Sequence, residues 1–346
     1  MIFISETVEE FAHEVKQGNY EIVVYGAGVI GKVVVPYLMQ EQGLVDRVLC
    51  FVDADENKQE KSITVGKKEI IVLNPEYLKK INRRIVILIT ASRPQAILTY
   101  LNGCTYLDDI RGYLLPQMLV ESMKGFERYV EIKKTAMPVI PKKIHYCWFG
   151  KGEIPYTMQA CIDSWKKFCP DYEIIQWDES NYNFEKYDYT KQAYRHQKWA
   201  FVSDVARLEI LYENGGVYMD VDVEIIRNLD DLLYQSGFCG VEKWRTINTG
   251  GGCGVICGHP VIEKMLEERK KCLFEYPDGR LNLESSGCYE TLPLLKQGFL
   301  PNNRTQVIND MTIYSSDFFH PYDYMTGELK ITENTYGIHR FMGSWL

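Results

Sequence analysis

The sequence predicts an α/β protein built as two units, and three observations carry that reading. Short apolar runs alternate with amphipathic segments over residues 21–115, a βαβ pattern. A mixed, charged stretch follows (Glu121, Lys124, Glu127, Arg128, Glu131, Lys133, Lys134) and ends at Pro138 and Pro141, a composition suited to a boundary. A second series of strands and helices then starts at Lys143. A chain of 346 residues fits two units on a prior of about 150 residues per domain. We therefore expect a first domain over residues 1–118, a linker over 119–137 and a second domain over 138–346.

In the first domain, residues 22–25, 47–52 and 85–90 read as strands, and 33–42 and 76–81 as amphipathic segments. Tyr25-Gly26-Ala27-Gly28-Val29-Ile30-Gly31 lies between a strand and a helix, and Asp53 ends the next strand. Glycines there let a pyrophosphate approach a helix N-terminus, and an acid about 20 residues on suits a ribose. Gly26, Gly28, Gly31 and Asp53 are thus a candidate nucleotide site, and a degenerate, non-catalytic module is the competing reading. The segment resembles the nucleotide-binding N-terminal domains of bacterial sugar O-acyltransferases and related Rossmann-like modules. A second mononucleotide half and a Tyr-x-x-x-Lys pair, expected of a sugar-nucleotide epimerase or reductase, are not evident.

The second domain opens with an apolar strand closed by glycine, Lys143-Ile-His-Tyr-Cys-Trp-Phe-Gly150. Met158, Cys161, Ile162, Trp165 and Phe168 recur at helical spacing, and residues 172–177 read as a strand. Residues 201–212 make the clearest helix. Phe201, Val205, Leu208 and Leu211 form its apolar face, Ser203 is positioned to cap its start, and Asn214-Gly215-Gly216 ends it. A strand over 217–226 follows, then a buried strand over 252–257 and a helix from Pro260 to about Cys272. From Tyr276 onward the chain reads as loop-rich.

Composition narrows the chemistry. Apolar content of 46% and charged content of 25% suit a globular protein, and a net charge of −8 disfavours a general grip on nucleic acid. The 10 cysteines contain no CxxC pair; they read as buried, reduced thiols and point to a cytoplasmic chain. No basic-then-apolar leader opens the sequence, and no run reaches the roughly 18 apolar residues of a membrane span.

In Val217-Tyr-Met-Asp-Val-Asp-Val-Glu-Ile225, the two-residue period of a strand sends Tyr218, Asp220, Asp222 and Glu224 to one face. Carboxylates so close resist desolvation unless a cation or hydrogen-bond donors compensate them, and hard oxygens suit Mg²⁺ or Mn²⁺. A solvated acidic strand end is the plainer alternative. Asp204 and Arg207, three positions apart on the preceding helix and off its apolar face, read either as a surface ion pair worth little or as a sugar-binding pair.

Taken together, residues 143–150, Ala200-Phe-Val-Ser-Asp-Val-Ala-Arg-Leu208, Tyr212-Glu-Asn-Gly-Gly-Val-Tyr-Met-Asp-Val-Asp222, and His339 with Ser344-Trp345 resemble the DXD glycosyltransferases of family 32, which include capsule-synthesis enzymes. The resemblance spans residue 138 to the end. It implies a GT-A type nucleotide-diphospho-sugar transferase domain preceded by the smaller Rossmann-like α/β domain. It also implies a UDP-linked donor, Mn²⁺ or Mg²⁺, and retention of the donor's configuration in moving a hexose to a glycan or lipid-linked acceptor.

Carried over residue by residue, Trp148 stacks on the base; Asp204 and Arg207 hold the donor sugar; Tyr218 and Asp220 meet ribose and phosphate. Asp222 binds the metal directly, with Asp220 beside it and His339 near; Ser344 and Trp345 close on the diphosphate. The family often doubles the histidine, whereas Arg340 stands second here, which offers a phosphate contact instead. Asn248, in Asn248-Thr-Gly-Gly251, is a candidate sugar-pocket residue, and Trp244 with Arg245 a candidate mobile acceptor loop.

The basic pairs Lys133-Lys134 and Lys142-Lys143 are candidates for peripheral contact with an anionic inner membrane face. The competing functions are a sugar-nucleotide oxidoreductase or epimerase acting through the first domain, and a toxin-like protein glycosyltransferase.

Overall fold

The structure is a computed structural model that describes residues 1–121 and 131–343. The chain divides into two compact units, Met1–Glu127 and Arg128–Leu346.

The first unit runs β1 (Ile2–Ile4), α1 (Val8–Gln17), β2 (Glu21–Tyr25), a π-helical turn (Ile30–Val34) continuing into α2 (Val35–Glu41), β3 (Val48–Val52), β4 (Ser62–Val65), β5 (Lys68–Leu73), β6 (Ile85–Ile89), α3 (Gln95–Asn102), β7 (Arg111–Leu114) and α4 (Leu115–Glu121). The strands lie in the order β1-β7-β6-β2-β3-β5-β4. All neighbours are parallel except β4 and β5.

β6 is Ile-Val-Ile-Leu-Ile and buried throughout, the continuous apolar run that a parallel strand covered on both faces requires. Thr7 and Glu10 close a capping box at the start of α1. Residues 76–81, read from the sequence as an amphipathic segment, are not an α-helix. They form a 3-10 helix, Pro75–Lys80, with Asn74 accepting from the Glu76 N–H.

The second unit runs β8 (Lys143–Cys147), α5 (Tyr156–Phe168), β9 (Glu173–Trp177), α6 (Asp188–Arg195), α7 (Trp199–Asn214), β10 (Gly216–Tyr218), β11 (Val223–Ile225), β12 (Gly237–Val241), β13 (Ile247–Val255), α8 (Pro260–Lys270), α9 (Ser286–Leu295), β14 (Gln306–Ile308), β15 (Met311–Tyr314) and β16 (Gly337–His339). Its main sheet has the order β14-β15-β12-β13-β10-β8-β9, and β11 pairs with β16 apart from it. β9, β8 and β10 are parallel, and β13 runs antiparallel to β10. Trp165 of α5 is fully buried and donates to the Val223 carbonyl at 2.7 Å, which fixes β11 over that helix.

Several expectations are corrected here. α7 starts at Trp199, so Ser203 lies one turn inside the helix and donates to the Trp199 carbonyl instead of capping. Gly215 ends α7 at φ 63°, and a Cβ there would meet the Cys257 amide nitrogen at 2.8 Å.

The strand expected over 217–226 stops at Tyr218. The Val223 N–H reaches back to the Asp220 carbonyl at 3.0 Å and closes a tight turn over Asp220-Val221-Asp222; the chain then leaves the main sheet to pair with β16. The two-residue alternation therefore does not set the faces of the two acids. Cys257 is exposed, unlike the buried thiol expected. The tail after Tyr276 carries α9 and three short strands. No helix among the described residues is long and apolar enough to cross a membrane.

Candidate active site

The site forms where β10 ends. The Asp220 N–H donates to the Gly250 carbonyl at 2.7 Å, tying the start of the acidic turn to β13. Asp222 closes the turn, and the β11–β16 register pairs Val223 with His339, which sets the imidazole beside it. Asp220, Asp222 and His339 each offer a ligand atom, all within 4.8 Å of one another.

His339 Nε2 lies 3.3 Å from Asp222 Oδ1, and the Met342 N–H donates to Asp222 Oδ2 at 2.9 Å. Burial pushes the Asp222 carboxyl up, but the His339 charge, that imidazole's hydrogen bond and the Met342 amide outweigh it and hold the acid ionised. His339 Nδ1 is buried with no hydrogen-bond partner. Two carboxylates and an imidazole with an orphaned nitrogen fit a divalent cation that accepts mixed oxygen and nitrogen ligands.

Asp204 and Arg207 face this cluster from α7 and correct the idea of a surface pair, being only 9% and 4% exposed. Arg207 donates to Asp204 Oδ1 at 2.5 Å, lies 3.6 Å from Asp220 Oδ2 and 3.9 Å from Glu290 Oε1. Its guanidinium also stands 5.5 Å over the ring of Tyr218, whose hydroxyl donates to Asp220 Oδ1 at 3.1 Å. The acid pair and the helix pair are thus one electrostatic unit joined through Arg207.

β13 explains why Gly250 and Gly251 are glycines. A Cβ at Gly250 would stand 2.1 Å from Asp220 Oδ2 and 2.6 Å from an Arg207 amino nitrogen; one at Gly251 would stand 2.0 Å from His320 Nε2. Asn248 is fully engaged, donating to Glu242 at 2.6 Å and accepting from the Gly251 N–H at 3.0 Å.

The remaining candidates fall as follows. Trp148 follows β8 and lines a surface cavity of about 350 Å³ with Gln176, Asp178 and Glu179, its indole N–H donating to the Gly152 carbonyl. Ser344 and Trp345 lie outside the described residues, as do residues 122–130 of the expected linker. Arg340, expected to offer a phosphate contact, pairs with Glu224. Trp244 is buried and donates to the Tyr324 hydroxyl, and Arg245 is buried beside it, so this hairpin tip is packed and not an open loop.

Lys142 and Lys143 are committed to ion pairs with Asp171, Asp230 and Glu173, while Lys133 and Lys134 are exposed. In the first unit the Asp53 carboxylate accepts from the Ala27 N–H at 2.7 Å, so it closes on the glycine loop itself.

Sequence reasoning did not single out Glu290, His320 or Arg269. Glu290 of α9 accepts from the Thr249 N–H and hydroxyl at 2.9 and 2.8 Å. Burial raises its carboxyl to about 7, against the pull of Arg207 and Thr249. It is the one charged residue in the helix Ser-Gly-Cys-Tyr-Glu-Thr-Leu-Pro-Leu-Leu, and that isolation was the available signal.

Residues 155–239 match the family described as glycosyltransferase sugar-binding region containing DXD motif. An inositol phosphoceramide mannosyltransferase of Schizosaccharomyces pombe is 32% identical over 154 residues, covering 42% of this chain and 42% of that protein. A mimivirus protein named as an uncharacterized glycosyltransferase is 25% identical over 193 residues, covering 53% of this chain and 74% of its own. The solved PaToxG glycosyltransferase is similar at 21% identity over 46% of this chain and 69% of its own, with a TM-score of 0.37. The chain thus spans less than half the length of the yeast relative it matches.

Proposed function

We propose that this chain is a metal-dependent, retaining glycosyltransferase that moves a hexose from a nucleotide sugar, UDP-linked, to a glycan or lipid-linked acceptor in surface or capsular polysaccharide synthesis. The observation that carries the proposal is the convergence of Asp220, Asp222 and His339 within 4.8 Å, inside reach of the buried Asp204–Arg207 pair. The DXD family match supports it.

Asp222, Asp220 and His339 would hold the cation, Mn²⁺ or Mg²⁺. Bound there, it supplies charge neutralisation to a departing diphosphate. Asp204 accepts from sugar hydroxyls, and Arg207 both orients Asp204 and donates to the donor. Tyr218 keeps Asp220 in place through its hydroxyl. Trp148 stacks on the base, and Ser344 and Trp345 act on the diphosphate. The acceptor hydroxyl attacks the anomeric carbon as the nucleoside diphosphate leaves and takes the acceptor's proton. The protein works in the cytoplasm, with peripheral contact at the inner membrane face.

The test is nucleotide release from UDP-glucose, UDP-galactose, UDP-N-acetylglucosamine and GDP-mannose with Mn²⁺, with and without chelator. The mannosyl donor belongs in this panel because of the yeast mannosyltransferase relative. Release from one donor that stops with chelator, and that Asp222→Ala abolishes while the variant stays folded, supports the proposal. Undiminished turnover in Asp222→Ala sinks it.

A further inference from the structure

Arg269, near the C-terminal end of α8, sits in a charged run, Glu267-Glu268-Arg269-Lys270-Lys271, that looks like a solvated helix end. Its neighbours fit that description: Lys264 pairs with Glu267, and Lys271 with Glu268, at the surface. Arg269 does not. It is 1% exposed, and Nε and both amino nitrogens are buried without a hydrogen-bond partner.

Two rings hold the guanidinium, Tyr189 of α6 at 4.3 Å and Tyr289 of α9 at 4.2 Å from its central carbon to the ring centroids. Among the described residues it pairs with the carboxylate of Asp204, at 3.9 Å from the oxygen that Arg207 does not take. Burying a guanidinium so poorly partnered is costly, and cation–π contact with the two rings offsets part of that cost. What it does from there is present positive charge to the back of Asp204.

We propose that Arg269 is a positioning residue for the sugar end of the site. With Arg207 on one carboxylate oxygen and Arg269 facing the other, Asp204 is held in one orientation. Its hydrogen-bonding direction toward a donor hydroxyl is therefore set by a residue that never touches the donor. The Tyr189–Arg269–Tyr289 stack transmits the positions of α6 and α9 to that carboxylate. The inference rests on reading Asp204 as a donor-sugar contact, and it goes further by separating recognition of the sugar from recognition of the nucleotide.

The experiment measures binding of UDP and GDP alone, and of UDP-glucose, UDP-galactose, UDP-N-acetylglucosamine and GDP-mannose, with Mn²⁺, to the full chain. The proteins compared are wild type, Arg269→Met and Arg269→Lys. We expect Arg269→Met to bind the free nucleotide as wild type does and to weaken the nucleotide sugar by roughly 10- to 100-fold, the scale of a sub-ångström to one-ångström misplacement. Arg269→Lys should recover part of that loss.

Equal weakening of sugar-bearing and sugar-free nucleotides, or no change in either, overturns the inference. If Arg269→Met does not fold, Arg269→Lys is judged by the same selective ratio. Wild type that binds none of the nucleotide sugars defeats the proposed function and this inference with it. Wild type that binds one and a variant that binds it equally defeats only the role of Arg269.

Discussion

Two glycine-rich segments sit one in each unit, and what fills the space beside them differs. In Gly26-Ala27-Gly28-Val29-Ile30-Gly31, a Cβ on Gly31 would stand 2.2 Å from the Gly26 carbonyl oxygen, and one on Gly26 would stand 2.5 Å from the Thr90 hydroxyl. The chain's own strand-to-helix closure takes up that room. In Gly250-Gly251, the space belongs to Asp220, Arg207 and His320, side chains brought from α7, the acidic turn and the loop after β15. The first segment has the better-known spacing and the second the closer tie to chemistry. Glycine spacing in a sequence says that something approaches the backbone; only the fold says what.

That contrast predicts opposite outcomes for two alanine substitutions. Gly250→Ala pushes Asp220 and Arg207 apart from their present contact, and we expect about 100-fold or more loss of nucleotide release from whichever donor wild type uses. Its unfolding midpoint should move far less than its activity. Gly31→Ala overpacks the first unit at a cost of about 1–3 kcal/mol, and turnover per folded molecule should stay at the wild-type level. Activity and urea unfolding measured on both variants check this. Full turnover in Gly250→Ala would show that β13 does not constrain the site.

A second, smaller effect follows from the strut that holds β13. The Glu290 carboxyl is raised from 4.5 to about 7, chiefly by burial, about 3 kcal/mol at 1.36 kcal/mol per unit. For an acid raised on folding, the folded state keeps the proton through pH 4.5 to 7 while the unfolded chain releases it. Stability therefore falls as pH rises across that window, and none of this contribution remains above about 7. Glu290→Gln keeps partners for Thr249 and removes the titration. The variant should gain stability relative to wild type as pH rises from 4.5 to 7, by at most that amount, in urea unfolding at a series of pH values. A constant difference across the window would show that Glu290 titrates normally.

Much of the fold was legible because it rests on local periodicity. β6 needs only an apolar run, α7 an apolar face and a glycine stop, and α5 the recurrence of Met158, Cys161, Ile162 and Trp165. The acids of the site were legible as letters but not as geometry. Their turn depends on a carbonyl of β13 and on β16, more than a hundred residues later, and no local pattern encodes such a pairing.

Burial of charge was the least legible feature. Asp204 and Arg207 at spacing i,i+3 look the same in sequence whether solvent or two other helices cover them. Arg269 is hidden completely, because a buried arginine in a run of charged residues has no sequence signature. The resemblance supplied what spacing could not, an expectation that joins blocks far apart in the chain; of these, Asp204, Arg207, Asp220, Asp222 and His339 do lie together.

The smallest expected effect sharpens the reading of the first glycine segment. Around Gly28 a Cβ meets nothing within 4 Å, and its φ is not in the left-handed region. The backbone there does not demand glycine, so Gly28→Ala should be neutral or stabilise the chain by about 0.4–1 kcal/mol through the unfolded state. Gly26 and Gly31 are explained by packing and Gly28 is not, so Gly28 is where a bound diphosphate would leave its mark. If the first unit binds a nucleotide, NAD or UDP titrated calorimetrically into wild type and into Gly28→Ala should give different affinities with identical unfolding curves. If it is a scaffold, neither titration shows heat of binding outside the second unit's site, which Asp222→Ala in the same background removes from the comparison.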